Sequence, residues 1–295
     1  MTRGGQCRPR LLHAIRDHYD RLSVLYHYLW GVHIHHGYWE EDEPPSVAQE
    51  NLIRRLVGWA GIPPGARVLD IGCGLGGSSL WLARHLGCSV TGITLSRVQA
   101  WLAGRRARAA KLSDRVCFQV MDANHLALPP ESYDAVWVIE CSEHLTDKAA
   151  FLASCARVLR PGGRLALCAW LSAAQPGDRA GERLVAEVCR GMLCPSLAHR
   201  DEYVDWMQQG GFEAIEAEDV TRRVERTWDH GIEIVRTSRL RFLLWFLGAR
   251  VREFIASFET IRRAYAEGAM AYGMFTGRKA EVVLGRQLDR AGADD

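Results

Sequence analysis

Three ionisable side chains crowd the end of an apolar run. VWVIECSEHL (136–145) reads as a buried strand through Ile139, then sets Glu140, Glu143 and His144 within five residues. Carboxylates and an imidazole at a strand terminus can take a proton from a bound molecule or steady a developing positive charge. They can also cap the next helix or bind backbone amides. A second stretch, VLDIGCGLGG (68–77), is a strand, a glycine-rich turn and a helix start, with Asp70 at the strand's end. Gly72, Gly74 and Gly76 let backbone turn sharply and approach a ligand. No Gly-Lys-Ser or Gly-Lys-Thr follows, which excludes a Walker-type phosphate loop. TGITLS (91–96) offers no carboxylate where a dinucleotide loop would place one. A third cluster, HIHHGYW, holds His33, His35 and His36. The His-x-His spacing can chelate, but no third ligand stands at an obvious spacing, and no metal is expected.

The elements that must position these groups alternate. RVLDIG, CSVTGITLS, RVCFQVMDA, YDAVWVIE and RLALCAWL read as strands, separated by the helices GGSSLWLARHLG, VQAWLAGRRARAAKL and AAFLASCARVLR. RPGG (160–163) reads as a turn before the last of these strands. Such alternation means right-handed βαβ units and a parallel sheet. Upstream, Leu11, Ile15, Tyr19, Leu22 and Tyr26 recur at helical steps, and 48–61 forms a second helix. After 171 the rhythm breaks into helix and loop through 211. FEAIEAEDV is expected as a late strand, 238–266 as helix and AYGMFTGRK as a final strand, with RAGADD a disordered tail.

Composition narrows the classes. The 295 residues, 48% hydrophobic, suffice for one large domain with a cap. A net charge of +2 is too small for an electrostatic nucleic-acid binder, and the arginine clusters read as solvated helix faces. Nine cysteines without a Cys-x-x-Cys pair suit a reducing compartment. The N-terminus lacks a signal-like apolar segment, and the run FLLWFLGA (242–249) is too short to span a bilayer. A cytoplasmic protein is expected, with peripheral membrane contact left open.

In order and spacing, DIGCGLGG, ITLSRVQA, MDA, SYDAVWVIE and LRPGG resemble the S-adenosylmethionine-dependent methyltransferases of the Rossmann-like class I. Adding LWGVHIHHGYW, VIECSEHLTDK and LRPGGRL, the chain looks most similar to the tocopherol C-methyltransferase group, with sterol methyltransferases in its wider circle. The resemblance implies a seven-stranded, mostly parallel α/β sheet with helices on both faces, covered by an N-terminal helical lid (1–60). It implies a cofactor-binding core at 61–220, a helical substrate cap at 221–270, and a final strand and tail at 271–295.

By the same resemblance, Asp70, Gly72 and Gly74 would hold the methionine end of S-adenosylmethionine. Thr94, Ser96 and Gln99 would stand by the ribose, and Asp122 and Ala123 would flank adenine. Thr94, Ser96 and Gln99 replace the acidic residue most of the class uses, as in an ITLSxxQ variant. Trp30, His36, Tyr38 and Trp39 would roof the pocket. Glu140 matches the acidic position that sterol methyltransferases use near their cationic intermediate, and is expected to act as base, with Glu143 and His144 beside it. The acceptor is expected to be a small hydrophobic phenol, quinol, prenyl or terpenoid compound, methylated on carbon in preference to nitrogen or oxygen. Trp245 would line the cap, whose arginines leave open a prenyl diphosphate held with a divalent ion. No NPPY-type motif stands where ECSEH does, which disfavours nucleic acid. A non-catalytic cofactor-binding protein is the alternative from another class.

Overall fold

The computed structural model describes residues 7–237 and 248–281. Its sheet has seven strands: β1 (Arg67–Ile71), β2 (Ser89–Thr94), β3 (Val116–Val120), β4 (Tyr133–Ile139), β5 (Leu159–Ser172), β6 (Phe212–Asp219) and β7 (Met270–Lys279). They lie in the order β3-β2-β1-β4-β5-β7-β6. β1 to β5 run parallel, and β7 is inserted antiparallel to both β5 and β6. This is the expected mostly parallel Rossmann-like sheet. The reversal of strand order beside β1 opens a crevice at the strands' carboxyl ends, where such sheets bind ligands.

Alternation along the central strands builds two cores. Ala135, Trp137 and Ile139 of β4, with Ala166, Cys168 and Trp170 of β5, face one side. There they meet α2 (Pro45–Ala60), α3 (Gly77–Leu86) and α6 (Arg179–Gly191). Val136, Val138, Leu165 and Leu167 face α5 (Lys148–Val158) and α7 (Arg200–Gln209) on the other. Each fully buried Leu, Ile or Val in these layers contributes ~1.5–3 kcal/mol of transfer free energy. α4 (Arg97–Ala109) covers β2 and β3.

The N-terminal segment divides in two. α1 (Cys7–Trp30) lies over the crevice, whereas α2 buries Leu52, Ile53 and Leu56 completely against the sheet. The segment after β6 folds into α8 (Thr221–Val224), α9 (Thr227–Thr237) and α10 (Ala249–Ala266). The helix expected over 238–266 is present from Ala249. Its earlier part, with Trp245 and the arginines at 239 and 241, lies outside the described residues, as does the expected tail. RPGG is no free turn: β5 begins at Leu159, which pairs with Tyr133 ahead of a register shift. Cys117, within the strand RVCFQVMDA, is exposed on the sheet's edge strand β3. No helix among the described residues is long and apolar enough to cross a membrane.

Candidate active site

The crevice beyond β1, β2 and β4 is a cleft of about 750 Å³, open to solvent and lined by Gly72, Gly74, Thr94, Gln99, Asp122 and Ala123. Its floor depends on one close approach. A Cβ on Gly72, which has φ +79°, would stand 2.5 Å from the Cys141 Cβ, so only glycine lets the loop rest on the end of β4. A Cβ on Gly74 would meet little but open space, so that face of the loop is turned to the cleft. The Gly72 and Cys73 amides both donate to the Ile93 carbonyl, which pins the turn to β2.

Thr94 donates to Gln99 Oε1 at 2.7 Å, and the Gln99 amide nitrogen has no partner among the described residues. Asp122 Oδ1 accepts from the Asn124 amide and side chain, and Oδ2 has no partner among the described residues. Three expected cofactor residues lie behind the lining instead. Asp70 is buried and accepts from Ser79 Oγ. Burial pushes its carboxyl up to about 7, against the lowering effect of Ser79. Ser96 caps α4 and donates to Asp20 of α1, so it fastens α1 to α4. Gly76, in left-handed conformation, starts α3 close against Phe118.

A second cavity, of about 580 Å³, adjoins the first and is lined by Trp30, His36, Glu143, Trp170, Trp228 and Phe254, among others. Tyr19, Ile34, Glu140 and His144 line both cavities. This shared wall is where a group in one space would meet a group in the other.

Glu140 sits in the wall with φ +52°, an uncommon conformation for a non-glycine residue. That twist breaks the strand alternation. Alternation along an extended strand would send Glu140 to the side of Val136 and Val138; its side chain instead joins the side of Trp137 and Ile139. There it accepts four hydrogen bonds: from the His36 amide (2.7 Å), His36 Nδ1 (3.0 Å), the Tyr272 hydroxyl (2.8 Å) and the Trp170 indole (2.9 Å). Burial alone would raise this carboxyl, but electrostatic attraction to the His36 ring, the hydrogen bond from that ring, attraction to the neighbouring His35 and the His36 amide together hold it down to about 2. The Trp228 indole, which can only donate, points at His36 Nε2 at 2.8 Å, so the His36 proton resides on Nδ1. Glu140 therefore ties the His36 segment to strands β5 and β7 as an ionised carboxylate, and His36 in turn accepts from Trp228 of α9.

His144 is held differently. Its Nδ1 faces the Leu193 carbonyl at 3.3 Å and Nε2 faces the Tyr19 hydroxyl at 3.0 Å. A carbonyl only accepts, so the proton sits on Nδ1 and Nε2 presents its lone pair to Tyr19. Burial lowers the His144 pKa, and Lys148 adds to this against the Leu193 carbonyl. Burial raises that of Tyr19, which keeps its proton.

Glu143, one turn away, is buried with Oε1 accepting from the Trp170 amide at 2.6 Å. Its Oε2 is buried and unpartnered. Burial and the Glu140 carboxylate push its pKa up to about 8. Two carboxyls at one strand terminus are thus driven apart, one ionised and one neutral at neutral pH.

Of the expected roof, Trp30 and His36 line the second cavity. Tyr38 lies under the Arg223 guanidinium, and Trp39 stacks on His230, outside this lining. His35 lines the cavity too, while His33 lies buried beside it. Among the described residues no three His, Cys, Asp or Glu side chains gather as a metal-holding group. Sequence reasoning did not single out Tyr19, Trp170, Trp228, Tyr265 or Tyr272 as site residues. Each reads locally as an ordinary apolar-stripe or strand aromatic.

Residues 69–167 match the family model described as a methyltransferase domain. The chain is 35% identical to 27-O-demethylrifamycin SV methyltransferase of Amycolatopsis mediterranei (strain S699), over 89% of this chain and 96% of that one. It is 30% identical to chloroplastic tocopherol O-methyltransferase of Arabidopsis thaliana, over 90% and 82%. Among solved structures, the cyclase SpnF superposes with a TM-score of 0.79 at 27% identity, over 90% of this chain and 95% of that one. The chain belongs to the class I S-adenosylmethionine-dependent methyltransferases, and is related to the tocopherol methyltransferases within that class. It is a small-molecule methyltransferase with S-adenosyl-L-methionine as methyl donor.

Proposed function

We propose that the protein methylates a hydroxyl oxygen on a neutral, largely apolar acceptor, with His144 as general base. The observation that carries this reading is the His144 Nε2 lone pair, presented at the wall between the two cavities by a proton fixed on Nδ1. The donor supplies a methyl group already activated on a positively charged sulfur. The protein's task is to align the acceptor, exclude water and remove a proton.

The first cleft fits the donor. Gly72 and Gly74 would give it close backbone, the Gln99 amide nitrogen would be free to donate to the ribose, and Asp122 Oδ2 would accept from an adenine amine. Met121, Ala123 and Leu145 offer apolar surface for the base. Asp70 and Ser96 support that cleft from behind. An acceptor hydroxyl in the second cavity can replace Tyr19 on His144 Nε2, or pass its proton through the Tyr19 oxygen. Glu140, already accepting four hydrogen bonds and held near 2, is too weak a base for the task. It serves instead to hold the lid shut.

The described lining of the second cavity carries two carboxyls and neither arginine nor lysine, which favours a neutral acceptor over a prenyl diphosphate. Beyond Tyr26, Trp30, Phe254 and Phe258 a further apolar space opens, lined by Leu22, Leu25, Val235 and Ile255. An apolar tail fits there. The cavity's aromatic rings, Trp30, Trp170, Trp228, Phe254 and Phe258, also suit a cationic intermediate and so support a second reading, transfer to carbon. The test is turnover of methyl-labelled donor against apolar phenols, quinols and prenyl alcohols, with the label located by mass spectrometry. Label on oxygen is expected; label on carbon overturns the first reading in favour of the second.

A further inference from the structure

Two residues that line the acceptor cavity carry a buried side-chain atom with no hydrogen-bond partner among the described residues, His35 at Nε2 and Glu143 at Oε2. Glu143 is 3% exposed. Its other oxygen is fixed by the Trp170 amide, so the carboxyl cannot swing away to find a partner. Leaving such a group unsatisfied is costly, and a ligand bearing the right complement would recover that cost.

We propose that Glu143 is a specificity residue that binds the acceptor as an un-ionised acid, donating its Oε2 proton to a second oxygen on that acceptor, close to the hydroxyl that is methylated. The inference rests on the hydroxyl-acceptor reading and narrows it to a class: apolar compounds with an ether, carbonyl or second hydroxyl oxygen beside the reacting one.

Three features of the geometry carry it. Glu140 in the same wall is saturated by four donors and keeps its negative charge, so a second charge at Glu143 would stand beside the first. The nearby Lys148 ammonium donates to the Leu145 and Ser196 carbonyls, and its attraction for Glu143 is outweighed by burial and by Glu140. The raised pKa of Glu143 agrees with this arrangement. Finally, an oxygen other than the nucleophile is the better partner. His144 takes the proton of the reacting hydroxyl, and a donor on that same oxygen would lower its nucleophilicity.

Two measurements on the full chain loaded with S-adenosylhomocysteine test the proposal. The first is the infrared difference spectrum between wild type and Glu143→Gln at neutral pH. It should show the carbonyl stretch of an un-ionised carboxylic acid, lost in the variant; a carboxylate difference in its place overturns the proposal. The second is the affinity of two matched probes, an ortho-methoxyphenol and an ortho-ethylphenol with the same para-nonyl tail, which differ by one ether oxygen. Wild type and Glu143→Gln, which still donates, should prefer the methoxy probe by about tenfold. Glu143→Leu should lose the preference. Equal preference in Glu143→Leu, or its loss in Glu143→Gln, overturns the proposal. If neither phenol binds wild type, the hydroxyl-acceptor reading fails, while the infrared band still decides the state of Glu143.

Discussion

The Tyr19 hydroxyl stands 3.0 Å from His144 Nε2, joining the lid helix to the end of β4 across 125 residues of chain. It is the only side chain the described structure places on that lone pair. Tyr19→Phe should therefore leave donor affinity within a few-fold and lower kcat by about tenfold, because the base loses its relay and its alignment. Calorimetric binding and steady-state turnover check this. An unchanged kcat would remove Tyr19 from the proton path.

Glu140→Gln should act first on stability. A glutamine keeps one accepting oxygen, but its amide nitrogen leaves a buried donor such as the Trp170 indole unpaired, at a cost of ~1–3 kcal/mol. The sign with pH follows from a folded pKa depressed from 4.5 to about 2. The stabilisation is complete above 4.5 and is lost as pH falls toward 2. Wild type should thus lose melting temperature more steeply than Glu140→Gln between those values. Parallel curves would contradict the clasp.

Glu143 gives the opposite slope. Its folded pKa is raised from 4.5 to about 8, so the folded state binds the extra proton and stability falls as pH rises through that window. Asp70, raised from 3.8 to about 7, adds to the same fall. Glu143→Gln should flatten the decline of melting temperature in part. A decline as steep as that of wild type would show that Glu143 is ionised already.

Much of the scaffold was legible in the sequence because it is local. Short apolar runs bounded by turn residues mark β1, β2 and β4, as strands buried on both faces should read, and the turn beyond β1 needs glycines whatever lies elsewhere. The late strands β6 and β7 could be read as strands, but the antiparallel insertion of β7 between β5 and β6 depends on pairing that no local pattern records. The site was legible only as an inventory. Glu140, Glu143 and His144 stood out by type, yet their roles follow from partners far away in the chain. Four donors from His36, Trp170 and Tyr272 turn Glu140 into a clasp. The Leu193 carbonyl fixes the tautomer that frees His144. A positive φ at Glu140 undid the face that strand alternation predicts, since alternation stops where the extended backbone stops.

The glycine floor can be tested by a pair of substitutions. Gly72→Ala places a Cβ 2.5 Å from the Cys141 Cβ and forces a left-handed alanine, so donor affinity should fall by at least about tenfold. Cys141→Gly in the same chain removes the collision but not the backbone strain, and should restore part of the loss. Equal affinity in the single and double variants would mean that the approach of loop to strand does not shape the cleft.

The central claim, that His144 and not Glu140 takes the acceptor's proton, is tested most directly by single-turnover methyl transfer in His144→Gln. The acceptor is the one found in the labelled-donor panel, and donor and acceptor are both saturating. Donor affinity should stay within a few-fold of wild type while the transfer rate falls by ~10²-fold or more, the usual contribution of a general base. Transfer at close to the wild-type rate would contradict the account.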